Sequence, residues 1–101
     1  MPTDAHPITV ESRDGLPLAA LLIPGAPGAP GVVLLHGAGS RKENHLDYAE
    51  RLADAGMWAL VPDLRGHGET GGAMDAGMPG DVLACLDHLG AANRRASESG
   101  L

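Results

Sequence analysis

Two short segments decide the fold of this chain: Val32-Val33-Leu34-Leu35-His36-Gly37 and Val61-Pro62-Asp63-Leu64-Arg65-Gly66-His67-Gly68. Both run from apolar residues into a glycine-containing turn that carries a histidine. A short continuous apolar run bounded by turn residues is typical of a strand covered on both faces, as occurs in parallel sheets layered with helices. The segments therefore predict two buried strands whose carboxyl ends lead into polar loops.

The flanking sequence supplies the other elements of an α/β fold. Alternating apolar and polar residues from Ile8 to Ser12, followed by the turn Arg13-Asp14-Gly15, indicate an antiparallel hairpin. Helical spacing after Asn44 and after Pro79 predicts two helices. The expected elements are strands at about 7–12, 16–23, 32–36 and 57–61, helices at about 44–55 and 79–89, and a polar tail at 91–101.

The predicted fold class is therefore α/β, with an N-terminal antiparallel hairpin leading into a parallel sheet with flanking helices. Residues 1–101 are expected to form a single domain. In the last helix, the buried face is expected to carry Val82, Cys85, Leu86 and Leu89.

Composition excludes several function classes. The chain has 101 residues, a formal net charge of −6 and one cysteine. Nucleic acid and anionic membranes are not expected as partners, because both attract clustered Lys and Arg. A single cysteine cannot form an internal disulfide. Residues 1–4 show no secretory signal and no run suits a membrane span, so a cytoplasmic protein is expected.

The chemistry is expected in the two loops that follow the buried strands. In open parallel sheets, ligand sites form beyond the carboxyl ends of the strands. Residues 36–40 and 63–68 both occupy that position, and both contain glycine and histidine. Glycine allows a sharp turn whose backbone N–H groups point at a ligand without interference from a Cβ.

In the order and spacing of these two segments, the sequence resembles the α/β-hydrolase family over roughly residues 7–90. The resemblance implies hydrolysis of an ester or related acyl substrate by a serine nucleophile, without a cofactor. It also implies an oxyanion hole after the first strand, with Ala38 as the N–H donor and Gly37 and Gly39 beside it. The residues implied to support the site loops are His36, Asp63, Arg65 and His67.

One part of the family pattern is missing from these 101 residues. The nucleophile of the family lies in Gly-x-Ser-x-Gly, between a strand and a helix. None of the serines, at positions 12, 40, 97 and 99, has that context. The acid and the catalytic histidine of the family follow the nucleophile, so no catalytic residue is identified. The sequence predicts an N-terminal fragment that is inactive by itself.

Two alternatives stay open. In the first, the chain is a non-catalytic protein or one half of a split enzyme. It would then associate with itself or with a complementing chain through the apolar strand edge Val32–Leu35. Alternatively it is a dinucleotide-binding module, since Gly37-Ala38-Gly39 precedes a helix and Asp63 ends the next strand. A metal site formed by His36, His67 and Asp63 lacks the usual ligand spacing and is not expected.

Overall fold

The computed structural model describes residues 5–98, which fold into one four-stranded sheet with a helix on either face. The strands are β1 (His6–Glu11), β2 (Pro17–Ile23), β3 (Gly31–Val33) and β4 (Trp58–Pro62), and the helices are α1 (Leu46–Asp54) and α2 (Met78–Glu98). A short 3₁₀ turn at Lys42–His45 precedes α1.

The strand order is β1-β2-β4-β3. Strands β1 and β2 form the antiparallel hairpin, in a register that pairs Ile8 with Ala20. Strand β2 also runs antiparallel to β4, whereas β3 runs parallel to β4. The expected α/β fold, a hairpin leading into a parallel pair with flanking helices, is confirmed.

The core divides into two layers because side chains alternate across the sheet. The larger layer packs beneath α2 and contains Leu18, Trp58, Leu60 and Cys85 among its buried members. The smaller layer packs beneath α1 and centres on Ile23, Ala49, Ala59 and Val61. Strand β4 is buried along its whole length, because a helix covers each face of the sheet. This burial explains why its sequence is a continuous apolar run.

The last helix is longer than the sequence indicated. It was expected to end near residue 89, before a polar tail at 91–101, but α2 continues through Gly90 to Glu98. Residues 99–101 lie outside the described residues. Ala92 is buried, and the Asn93 side chain accepts from Gly28 N–H at 2.8 Å and donates to Ala29 O at 2.6 Å. These tertiary contacts offset the low helix propensity of glycine.

The buried face of α2 also differs from the expected one. Leu86 was expected to be buried but is 48% exposed, while Asp81 is almost fully buried. The Arg65 guanidinium binds the Asp81 carboxylate through two hydrogen bonds, from Nε to Oδ2 at 2.7 Å and from Nη2 to Oδ1 at 2.5 Å. This ion pair turns the Asp81 side of the helix toward the sheet, which hydrophobic spacing cannot reveal.

Strand β3 lies at one edge of the sheet. Leu34 N–H donates to Leu60 O at 2.9 Å, so Leu34 directs its backbone polar groups toward β4. The alternation of a strand then points the backbone groups of Val33 and Leu35 away from β4. Within residues 5–98 no strand pairs with that side.

No helix within residues 5–98 is both long enough and apolar enough to span a membrane.

Candidate active-site loops

The first candidate loop is a tight turn just beyond β3. Ser40 N–H donates to Gly37 O at 3.1 Å, and Gly39 has a φ of +77°. A positive φ at the third residue of such a turn defines type II geometry, which favours glycine. Gly37, Ala38 and Gly39 are all exposed, so the turn of residues 37–40 presents its backbone to solvent at the carboxyl end of β3.

Within residues 5–98, two N–H groups of this turn have no hydrogen-bond partner. Among the described residues, no hydrogen bond engages the N–H of Gly37 or of Ala38. The third, Gly39 N–H, donates to His67 Nε2 at 3.0 Å. The turn therefore has Ala38 and Gly37 free to bind an anion, whereas Gly39 is held by the second loop.

His36 and His67 bind the backbone of each other's loop. His36 Nε2 accepts from Leu64 N–H at 2.9 Å, and its Nδ1 lies 2.8 Å from Gly37 O. His67 Nε2 accepts from Gly39 N–H, and its Nδ1 lies 3.1 Å from Arg65 O. Each ring must therefore be neutral, with the proton on Nδ1. We call this set of four residues, His36, Gly39, Leu64 and His67, the histidine clasp.

Asp63 lies fully buried where the two loops meet. Its Oδ1 accepts from Lys42 N–H at 2.7 Å, and its Oδ2 accepts from Lys42 Nζ at 2.7 Å and from Glu69 N–H at 2.9 Å. Gly68 is required beside it, because a Cβ at residue 68 would overlap the Asp63 carboxylate. Asp63 thus fixes the start of the 3₁₀ turn against the second loop.

These contacts set the ionisation of the pair. Burial alone raises the pKa of the Asp63 carboxyl, but hydrogen bonds from Lys42 and from Glu69 N–H outweigh it and hold that pKa below its usual value. Burial alone lowers the pKa of the Lys42 ammonium, but its bonds to Asp63, Glu69 and Glu43 hold it above its usual value. Both side chains are therefore charged near neutral pH.

Arg65 anchors the second loop to the rest of the molecule. Besides Asp81, its guanidinium binds Asp14 of the hairpin turn (Nη1 to Oδ2, 2.9 Å) and Asp75 of the loop before α2 (Nη1 to Oδ1, 2.8 Å). Ser12 completes the cluster with a hydrogen bond to Asp81. The hydrogen bonds from Arg65 hold the pKa of Asp14 below its usual range. The Arg65 side chain thus ties the second loop to the hairpin turn and to α2.

The structure brings all seven predicted site residues together in two adjoining loops. Sequence reasoning did not assign Lys42, Glu69 or the three carboxylates around Arg65. A signal for Lys42 was present, since it is the only lysine of the chain and occupies the third-glycine position of the dinucleotide pattern. Cys85 is fully buried in α2, and burial raises the pKa of its thiol to about 12, so it offers no thiolate nucleophile.

The geometry does not favour the dinucleotide-binding alternative. The Asp63 carboxylate is fully buried and bound by Lys42 and by Glu69 N–H, so a ribose hydroxyl cannot reach it. The Nε2 atoms of His36 and His67 both accept backbone N–H groups. Across residues 5–98, no group of three or more His, Cys, Asp or Glu side chains is arranged to hold a metal ion.

The sequence matches the dienelactone hydrolase family over residues 18–97, a range that contains both loops. The chain belongs to this family. Its fold is also similar to that of an epoxide hydrolase from Vigna radiata, with 28% identity and a TM-score of 0.74 over 86% of this chain. Epoxide hydrolase A from Mycobacterium thermoresistibile is similar at 27% identity and a TM-score of 0.73 over 85% of this chain.

A putative α/β hydrolase from Agrobacterium tumefaciens shares the fold, with a TM-score of 0.78 and 21% identity over 90% of this chain and 45% of its own length. This member of the dienelactone hydrolase family spans 28% of the length of each of the two epoxide hydrolases. No curated protein sequence matches it. The fold is therefore that of the N-terminal part of an α/β hydrolase.

Proposed function

We propose that this chain supplies the oxyanion-binding loop of a serine-dependent hydrolase that cleaves an ester or a related acyl compound. The nucleophile, its acid and its base come from residues beyond the 101 of this sequence. Small-molecule acyl compounds are the proposed substrates, with no cofactor. A reducing, cytoplasmic setting belongs to the same proposal, since the single cysteine has no disulfide partner.

The observation that carries this proposal is the pair of unpartnered N–H groups at Gly37 and Ala38, within the part of the chain that the structure describes. They lie on a type II turn at the carboxyl end of a sheet strand, where ligands bind in this class of fold. Donors that are already oriented stabilise the negative oxygen of an acyl-transfer intermediate, and one such donor contributes about 10²–10³ in rate.

The choice of an ester is supported by the family to which the chain belongs. Its name refers to hydrolysis of a lactone, which is a cyclic ester. Epoxide opening is the second candidate, because two of the similar solved structures are named epoxide hydrolases. The two candidates differ in the reacting group, so substrates of the two kinds distinguish them.

The proposal includes a partner. The outward backbone groups of Val33 and Leu35 offer hydrogen bonds to one more strand, and 42% of Leu35 is exposed beside them. We propose that this edge pairs with a complementing polypeptide that carries the nucleophile or, when none is present, with a second copy of the chain. By itself the chain is expected to be inactive.

A chimera tests the proposal. Residues 5–98 replace the matching segment of the α/β hydrolase from Novosphingobium aromaticivorans, which is 28% identical over 89% of this chain. The chimera and its parent are assayed with p-nitrophenyl acetate and with styrene oxide. We expect the chimera to hydrolyse the ester.

The variant Ala38→Pro removes one N–H donor from the chimera. Proline suits the second position of a type II turn, so the turn itself is kept. We expect kcat to fall about 10²-fold or more, whereas Ala38→Gly, which keeps the N–H, stays close to the unmodified chimera. A folded chimera whose ester hydrolysis is unaffected by Ala38→Pro contradicts the oxyanion role, and turnover of the epoxide alone favours the second candidate.

A further inference from the structure

The histidine clasp joins the two loops by reciprocal hydrogen bonds. The first loop provides His36 to accept Leu64 N–H, and the second loop provides His67 to accept Gly39 N–H. The two rings lie close together, with centroids 5.2 Å apart and planes inclined by 52°. His36 is buried, whereas His67 is partly exposed and open to protons from solvent.

Both bonds require a neutral imidazole. A backbone N–H can only donate, so the Nε2 atom facing it must carry a lone pair. A protonated ring is a donor at both nitrogens, and the bond to Gly39 or to Leu64 is then lost. Histidine is the side chain whose change of charge most readily falls within the physiological pH range.

We propose that His67 is a positioning residue for the turn of residues 37–40, and that it holds this turn only in its neutral form. The importance of the turn rests on the proposed function, but the hydrogen bond itself does not. When His67 is neutral, Gly39 N–H is fixed and Ala38 is held in place beside it. When His67 is protonated, Gly39 N–H faces another donor and the turn separates from the second loop.

The charged groups around the clasp do not remove this effect. Asp63 is nearest, with its Oδ1 3.9 Å from His36 Nε2, and it is paired with Lys42. Glu69 and Glu43 also bind Lys42 Nζ, at 2.6 and 3.1 Å. The Arg65 guanidinium points toward its own carboxylates, which are Asp14, Asp75 and Asp81. Each of these carboxylates is therefore already paired with Lys42 or with Arg65.

Amide NMR on the ¹⁵N-labelled full chain tests the proposal without any assay of hydrolysis. The resonances of Gly39 N–H and Leu64 N–H report separately on His67 and His36. As the pH is lowered from neutral, we expect the Gly39 amide resonance and the His67 ring resonances to change together. The exchange protection of the Gly39 amide is expected to fall about fivefold, as for loss of one hydrogen bond.

Two variants make the test specific. In His67→Gln the amide oxygen accepts from Gly39 at every pH, so the Gly39 titration should disappear. In His88→Gln, which alters a partly exposed histidine on α2, the titration should persist. A Gly39 amide that does not respond to pH in the unmodified chain overturns the proposal, as does an unchanged titration in His67→Gln. An inactive chimera with an intact Gly39 titration contradicts the proposed function but leaves the clasp standing.

Discussion

Lys42 Nζ donates to Asp63 Oδ2 across 2.7 Å, and both side chains are buried where the two candidate loops meet. The backbone N–H of Lys42 donates to the other carboxylate oxygen, Asp63 Oδ1. The only lysine of the chain therefore lies inside the protein, and its charge joins the 3₁₀ turn to the loop after β4.

Replacing Lys42 tests how much this pair contributes. Lys42→Met leaves Asp63 buried without its cation, which usually costs about 3–5 kcal/mol. We expect the free energy of unfolding to fall by about 2 kcal/mol, because Lys42 also pairs with Glu43 and Glu69, whose side chains reach solvent. Urea unfolding followed by Trp58 fluorescence measures it. Arg41→Met, next to it but exposed, serves as the matched control; equal losses in both variants would contradict a structural role for the pair.

The free energy of unfolding should depend on acid through Asp63 and Asp14. The pKa of each is lower in the folded protein than its usual value, so each stabilises the fold above the unfolded pKa of about 4. That contribution is lost as the pH falls below about 4 through the folded pKa values. Unfolding curves at a series of pH values should show this decline, and Asp63→Asn should make it shallower. A decline of the same steepness in Asp63→Asn would count against Asp63.

Gly68 should not tolerate a side chain. Its φ is +51°, which costs an L-residue about 1–2 kcal/mol, and an added Cβ overlaps the Asp63 carboxylate. We expect Gly68→Ala to lower the free energy of unfolding by at least about 2 kcal/mol. Gly71→Ala is the control, because a Cβ there meets nothing within 4 Å. Thermal melts of the two variants distinguish them; similar melting temperatures would show that Asp63 adapts.

The chain alone should not react with an active-site-directed fluorophosphonate. Ser12 is buried and donates to Asp81, whose carboxylate is held by Arg65. Ser40 Oγ accepts from Asn44 Nδ2 at 2.7 Å, so within residues 5–98 neither of these two serines is hydrogen-bonded to a histidine base. Intact-mass spectrometry after incubation should show the unmodified mass. A stoichiometric serine adduct would falsify this expectation.

The β3 edge should promote self-association. Light scattering at micromolar concentration is expected to give a mass above the 10.3 kDa of the monomer. Leu35→Lys places a charge beside the open edge and should lower that mass, since edge lysines block strand pairing. Leu83→Lys, at an exposed leucine on α2, should leave it unchanged. A compact monomer for the unmodified chain would argue against the edge as a docking surface.

Much of this architecture is readable from local sequence. The apolar runs ending at His36 and Asp63 predicted the parallel pair, and the histidine loops predicted where polar groups gather, because strand burial and turn chemistry are local properties. Lys42 was not recognised because lysine is almost never fully buried unless it is paired. The register of α2 and its extension to Glu98 depend on Arg65 and Asn93, whose partners lie on other elements. Contacts between residues on different elements leave no periodic pattern in the sequence.

The strand order has a consequence for how the molecule assembles. Strand β3 precedes β4 in the chain but touches the sheet only through β4, which itself docks on the hairpin. Both bonds of the histidine clasp span 28 residues, so neither can form until the loop after β4 is in place. We therefore expect the turn of residues 37–40 to be held in place late in folding, after the hairpin has formed and β4 has paired with it.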